Sequence, residues 1–306
     1  MLNIHEMNVF LTAAETENFS EAARLLHMTQ PAISMQIQSL EQRLGVQLFE
    51  RAGRRIQLSD AGETLLPMAR DLVSMSLRIE ETIKSLSGDV VGHLKIGCST
   101  ASGKYILPQL VARFRRMYPR VNVTIYTGGR DQVMHMLADG VTHISVVSSL
   151  VSCRDAEFRH FFTDRVVLVV PADHAWAGRP SVKPHELCEV DFILRDDTSG
   201  THQVMAEALR GRGIQLDDFK IVMELGNPEA IEMAVEEGIG VSFLPLLVAQ
   251  RGIELGRIKV VEVEGLNLER KIYMAYNVHR AATRSQAEFW NFVHQPANET
   301  LLKLAA

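Results

Sequence analysis

The chain has almost no cysteine: its 306 residues hold three, Cys98, Cys153 and Cys188, with no CxxC pair among them. That usage excludes a disulfide framework and a cysteine zinc site, and it fits a reducing compartment. Long hydrophobic runs are missing too, none approaching the roughly 20 residues that cross a bilayer. No membrane partner is expected. Met1-Leu2-Asn3-Ile4-His5-Glu6 lacks the basic and apolar regions of a secretory signal, so a cytoplasmic protein is expected. The eleven histidines show no HxxxH-type spacing, and neither a metal nor another cofactor is expected. GxSxG, P-loop and GxGxxG sequences are absent, while Glu15 with Glu17 and Asp196 with Asp197 read as solvated surface carboxylates. An enzyme has nothing to stand on.

Positive charge is scarce as well. The formal net charge is −5, against the basic balance usual in nucleic-acid binders. Residues 20–59 depart from it, with five arginines (24, 43, 51, 54, 55) against three glutamates (21, 41, 50). A DNA-binding reading must therefore rest on pattern and placement. What the chain does have is 46% hydrophobic and 23% charged residues, the balance of a globular protein, and length for two or three compact units.

Residues 4–16 carry Met7, Phe10, Leu11 and Ala14 at helical spacing. Asn18-Phe19-Ser20 breaks this helix, Ser20 reads as the N-cap of a second over residues 21–26, and a third begins near Pro31. Ile33, Ile37, Leu40 and Leu44 form its apolar stripe, and Gly45 ends it. Residues 46–51 and 55–58 flank Ala52-Gly53-Arg54 as a short hairpin. From Asp60 to Leu86, Leu65, Leu72, Ile79 and Leu86 recur every seven residues, with Met68, Met75 and Thr82 at the other seam position. That is a coiled-coil-like helix of roughly 40 Å, whose partner is a second copy of the chain rather than its own small domain. Pro67 either kinks this helix or marks its true start. After a hinge at residues 87–92, strand and helix patterns alternate to the C-terminus, predicting mainly parallel sheets covered on both faces.

The run from Phe19 through Ser20-Glu21-Ala22-Ala23-Arg24, Thr29-Gln30-Pro31-Ala32-Ile33-Ser34 and on to Glu41 closely resembles the helix-turn-helix of LysR-type transcriptional regulators. So does Leu48-Phe49-Glu50-Arg51 followed by Ser59-Asp60-Ala61-Gly62, and the match covers about 60 contiguous residues. The residues support this independently. A recognition helix buries one face and offers short polar side chains on the other, and Gln30, Ser34 and Gln38 lie four apart opposite the apolar stripe. Gln30 suits a base edge; Ser20, Thr29 and Ser34 suit phosphate oxygens, and Pro31 sits at the helix entry. Arg51, Arg54 and Arg55 on the wing reach the flanking backbone or minor groove. Met35 stands where some members of the family carry a basic residue.

Residues 93–295 resemble the family's effector domain, whose two α/β subdomains have the fold of periplasmic binding proteins. The expected architecture is thus α/β with a winged helical N-terminal domain: a DNA-binding domain at 1–60, a linker helix at 61–88, and an effector domain at 93–306. Its subdomains would span about 93–163 with 270–306, and 164–269. Cys98-Ser99-Thr100-Ala101-Ser102-Gly103 and Asp197-Thr198-Ser199-Gly200-Thr201-His202 each turn a strand into a helix, where N–H groups and hydroxyls face a ligand. Ser99, Thr100, Ser102, Ser148, Thr198, Ser199, Thr201 and Asn227 are the candidate ligand residues, the ligand a small anion, and helix capping the competing role for each hydroxyl. Arg195 and Lys104 are near enough in sequence to help. Cys98 reads as a packed thiol rather than a redox sensor.

The function expected is ligand-controlled binding to double-stranded DNA at an inverted repeat, by a dimer joined through the linker helix and a tetramer joined through effector domains. A transport protein built on the C-terminal fold alone is disfavoured by the missing signal and the 60-residue match; an enzyme acting on a small anion is disfavoured by the missing catalytic motifs.

Overall fold

Asn18, not Ser20, opens the second helix. Its Oδ1 accepts from Ser20 N at 2.8 Å and Glu21 N at 3.2 Å, so the cap falls two residues earlier than the sequence pattern suggested and leaves Ser20 exposed in the first turn. The computed structural model describes residues 2–52, 55–85, 89–148 and 155–303. Cys153, Arg54 and Leu86 lie outside them, as do the side chains of Arg51 and Arg55. The chain divides into two compact units, Met1–Val91 with Asp139–Val141, and Gly92–Ala138 with Thr142–Ala306.

The first unit holds α1 (Ile4–Thr16), α2 (Phe19–Leu25), α3 (Gln30–Leu44), β1 (Phe49–Ala52), β2 (Arg55–Leu58) and α4 (Asp60–Ser85). Met7, Phe10, Ile33, Ile37, Leu40 and Leu48 are its fully buried centre. Leu44, expected in that stripe, is partly exposed at the helix end. Gly45 closes α3 with φ +73°, its N–H donating to Glu41 O at 2.8 Å. The hairpin starts at Phe49 rather than Val46, because side chains satisfy the backbone before it. Glu41 Oε1 accepts from Leu48 N at 2.8 Å and Phe49 N at 3.3 Å, and Ser59 Oγ donates to Gln47 O at 2.7 Å. Ser59 Oγ also accepts from Gly62 N at 3.1 Å, which fixes the start of α4 and places Pro67 well inside the helix instead of at its origin. Only glycine fits at position 62, where a Cβ would lie 2.2 Å from Leu48 O.

The second unit adds β3 (Gly92–Cys98), α5 (Leu107–Met117), β4 (Val121–Thr127), α6 (Arg130–Ala138), β5 (Ile144–Val147), β6 (Ala156–Pro171) and β7 (Ser181–Val182). It continues with β8 (Asp191–Arg195), α7 (Gly200–Arg210), β9 (Lys220–Leu225), α8 (Pro228–Glu236), β10 (Ser242–Pro245), α9 (Leu246–Glu254), β11 (Ile258–Val263), β12 (Leu268–Asn277), α10 (Arg284–Phe292) and α11 (Glu299–Lys303). The sheets are mixed rather than mainly parallel. β3 pairs in parallel with β4 and β5, and β8 with β9, but β12 runs antiparallel to β5 and β6, as do β10 and β11 to β6. The cause is the length of β6 and β12, 16 and 10 residues, which join the half built on β3–β5 to the half built on β8–β11. Among the described residues no helix is long and apolar enough to cross a membrane.

Candidate functional site

The polar face of α3 stands clear of the first unit's core. Gln30 and Gln38 are exposed and Ser34 half-buried, while Ile33 and Ile37 between them are buried. Gln30 Nε2 donates to Ser34 Oγ at 2.9 Å, which orients the amide along the helix. Thr29 caps α3, its Oγ1 accepting from Ala32 N at 3.4 Å, so that hydroxyl keeps its proton for an outside acceptor. Pro31 follows in the first turn. Met35 is 70% exposed on the same helix, an apolar side chain where a charged one would be easily accommodated. α1 and α3 are fastened by Arg43, whose Nη1 and Nη2 donate to the Glu6 carboxylate at 2.8 and 2.7 Å. These hydrogen bonds hold the Glu6 carboxyl below its usual range against the opposing effect of burial.

Along α4, Met68, Leu72, Met75 and Ile79 are all exposed at alternating spacings of four and three, while Leu65 packs partly on the core. The sequence seam is thus an apolar stripe on a single chain.

The second unit contains a cavity of about 220 Å³ between its halves, below the range of roughly 300–1,000 Å³ for drug-sized ligands. On one side Ser99 and Thr100 follow β3, Gly128 and Gly129 follow β4, and Ser148 follows β5; on the other Thr198, Ser199 and Thr201 open α7 after β8. Six of the eight candidate ligand residues therefore meet around one space. Ser102 and Asn227 do not line it: Ser102 is buried, with Oγ accepting from Ser99 Oγ at 3.2 Å, and Asn227 caps α8 through Ala230 N at 3.0 Å. Ser199 lines the space and also caps α7, accepting from Thr201 N at 3.2 Å. The helix after Ser99 passes through a π turn at Ser102–Ile106 before α5, a local irregularity frequent at functional sites.

Charge enters the cavity through Arg130, Arg195 and Arg270, and through one carboxylate, Asp196. Arg195 Nε donates to Asp196 at 2.9 Å, and Arg130 Nε to Asp131 at 2.9 Å and Nη1 to Gln203 across the cleft at 3.2 Å. The Asp131 side chain is 67% exposed, so water screens it and it offsets Arg130 only weakly. Lys104, near in sequence, is turned to Glu229 at 3.2 Å and does not line the space. Asp196 is no mere solvated carboxylate: burial acts to raise its pKa, but hydrogen bonds from Thr198 and Arg195 outweigh it and hold the acid below its usual range. Sequence reasoning missed Arg130 and Arg270. Arg130 follows a Gly-Gly strand-to-helix turn that could have flagged it; Arg270 sits mid-strand with no local signal. Cys98, fully buried beneath Gly103, has its thiol pushed up to about 12 by burial, which favours the protonated thiol.

Residues 4–63 match the family described as bacterial regulatory helix-turn-helix protein, lysR family, and residues 87–297 the LysR substrate binding domain. Among curated proteins, the HTH-type transcriptional activator CmpR of Synechocystis sp. is 31% identical over 274 residues, covering 89% of this chain and 88% of CmpR. A probable RuBisCO transcriptional regulator of Nostoc sp. is 27% identical, covering 99% and 92%. Among solved structures, a full-length OxyR variant from Pseudomonas aeruginosa superposes with a TM-score of 0.73 at 20% identity, covering 100% of this chain and 96% of that one. CbnR, described as a LysR family transcriptional regulator, gives 0.69 at 22%, covering 95% and 98%.

Proposed function

From the premise that this chain belongs to the LysR family of bacterial helix-turn-helix regulators, we propose that it is a DNA-binding switch whose effector is a small anionic metabolite. It is a LysR-type transcriptional regulator with an effector-binding domain, and the proteins it matches are regulators, not enzymes. The finer reading assigns residues 1–60 to DNA binding, 61–88 to dimerisation and 93–306 to effector binding, with subdomains meeting near residues 163 and 270. Gln30 reads a base edge from the major groove, on the face it shares with Ser34 and Gln38; Ser20, Thr29, Ser34 and the wing arginines 51, 54 and 55 hold phosphates of an inverted-repeat operator. The α4 stripe joins two chains, and effector domains pair two such dimers.

One observation carries the anion reading. The first turn after Ser99 and the first turn of α7 both open on a space lined by three arginines against one carboxylate, Asp196, which is already paired with Arg195. Helix starts present unpaired N–H groups and a positive dipole end, and a site enclosed from water strengthens both effects. Ligand closing the cleft more tightly in one DNA-bound arrangement than another shifts the regulator between them by that difference in affinity. The test is a thermal-shift screen of the full chain with sulfate, phosphate, phosphorylated sugars, carboxylates and neutral or aromatic compounds, followed by operator footprinting with those that stabilise. Stabilisation by anions alone supports the reading; stabilisation by neutral or aromatic compounds alone overturns it and leaves the regulator intact.

A further inference from the structure

Under the cleft lies an ion pair that stability does not account for. Asp164 on β6 and Arg270 on β12 stand opposite one another in the strand register, 1% and 7% exposed. Arg270 Nη2 donates to Asp164 Oδ2, and Nη1 donates to Thr201 Oγ1 at 2.9 Å. Yet Arg270 Nε and Asp164 Oδ1 are both buried without a hydrogen-bond partner. A buried pair contributes net stability only when its remaining donors and acceptors are satisfied, since desolvation otherwise cancels the attraction. This pair leaves one of each open. Arg270 is at the same time part of the cavity lining, and a Cβ on Gly200 would lie 3.7 Å from its Nη1, so the guanidinium lies directly beneath the start of α7.

Resting on the anion reading above, we infer that Arg270 is the floor anchor for one anionic group of a compact dianion, and that Asp164 is a resident counter-anion with which that group competes. The second anionic group reaches the opposite wall, where Ser99 and Thr100 begin the first helix of the unit. A dianion spans floor and wall; a monoanion satisfies one of them. Two carboxylates on one buried guanidinium repel, so the resident one gives way by taking a proton from solvent. Asp164 is prepared for this. Burial already pulls its pKa upward, opposed by Arg270, and weakening that opposition raises the pKa further. The open Oδ1 is the atom that receives the proton. Because β6 and β12 are the strands that join the two halves, the exchange happens at the junction between them.

Competition makes a prediction that a structural ion pair does not: the two partners respond with opposite signs. Using the full chain, malonate and acetate are titrated against wild type, Asp164→Asn and Arg270→Gln by calorimetry. Malonate is expected to bind at least about tenfold more tightly than acetate. Arg270→Gln should weaken malonate by roughly 10- to 100-fold, the loss of one charged hydrogen-bonding partner, and Asp164→Asn should tighten it by about tenfold or more. Wild type needs no variant for a second measurement. Malonate binding repeated near pH 7.5 in two buffers of different ionisation heat should show uptake of up to one proton per ligand, and Asp164→Asn should show none. If both substitutions weaken malonate alike, or malonate binds wild type without proton uptake, the counter-anion role is overturned while the anion reading stands. If no anion binds wild type and only neutral compounds do, the reading falls and this inference with it.

Discussion

Gly200 and Ser148 meet across the cleft so closely that a Cβ on Gly200 would stand 2.1 Å from Ser148 Oγ and 2.8 Å from Ser148 Cβ. The glycine is needed for space, since Gly200 begins an ordinary helix and carries no left-handed backbone angle. Gly200→Ala gains up to about 1 kcal/mol of helix propensity and loses about 1–3 kcal/mol to overpacking. Rotation of the Ser148 hydroxyl relieves the first contact but not the second, so the two walls must also part slightly. The expected outcome is a modestly lower melting temperature and a loss of most anion-induced stabilisation, with operator binding by the unliganded protein unchanged; thermal melts with and without sulfate read the first two, and a gel shift the third.

The Glu6–Arg43 pair gives the DNA-binding unit a defined acid response. Glu6 titrates below its ordinary value near 4.5 in the folded chain, chiefly through the Arg43 hydrogen bonds. A group whose folded pKa is depressed stabilises the fold above the unfolded value, and that contribution is lost as pH falls through the folded one. Glu6→Gln is therefore expected to cost about 1–3 kcal/mol at pH 7 and progressively less below pH 4.5. Urea melts of the first unit's helical signal at pH 7 and pH 4 check it; an equal cost at both would remove the charge from the account.

The winged helical unit was legible because its signals are local. Apolar spacing, Gly45 and Ser59 before Asp60-Ala61-Gly62 all act within a few residues, and even the misplaced cap missed by only two, since Asn18 and Ser20 are both good caps. Six of the eight cleft hydroxyl and amide candidates were legible for the same reason: strand-to-helix turns advertise themselves. Arg270 was not. Its partners Asp164 and Thr201 lie 106 and 69 residues away, brought to it by the pairing of β6 with β12 and by the packing of α7 on β12. The antiparallel pairing was hidden similarly, because alternating strand and helix patterns do not reveal that two strands are long enough to serve both halves.

Met35 offers a gain-of-contact test at the nucleic-acid surface. It is 70% exposed beside Ser34 on α3, so an arginine there meets no steric obstacle. Met35→Arg should raise affinity for any DNA sequence and steepen the salt dependence by up to about one unit, the signature of one more phosphate contact. Arg51→Ala should flatten the slope by a similar amount. Gln30→Ala should instead relax preference at one base position by roughly 1–3 kcal/mol without changing the slope. Fluorescence anisotropy on operator and scrambled duplexes across a salt series separates these outcomes, and identical behaviour of all three variants would remove α3 from the groove.

The exposed stripe on α4 predicts how the chains associate. Met68, Leu72, Met75 and Ile79 lie on one side of a 26-residue helix and contribute nothing to the buried core of their own unit. A solitary exposed leucine needs no partner, but four large apolar side chains in heptad spacing form a continuous seam. Met68, Leu72, Met75 and Ile79 are 64%, 37%, 47% and 57% exposed, so covering each with a second copy contributes roughly half of the 1.5–3 kcal/mol of a full burial, on both chains. Leu72→Asp combined with Ile79→Asp places like charges opposite one another in that seam, so the mass measured by light scattering should fall to that of smaller species. Because Ile79 is 57% and Leu72 37% exposed in the single chain and neither belongs to the buried core, the melting of the helical unit itself should move much less than the assembly does. Operator affinity should drop by about 10²- to 10⁴-fold, the advantage of tethering two half-site readers, while affinity for a single half-site stays the same. A double variant that kept its mass and its operator affinity would place the dimer contact elsewhere, and the stripe would then be without a role in assembly.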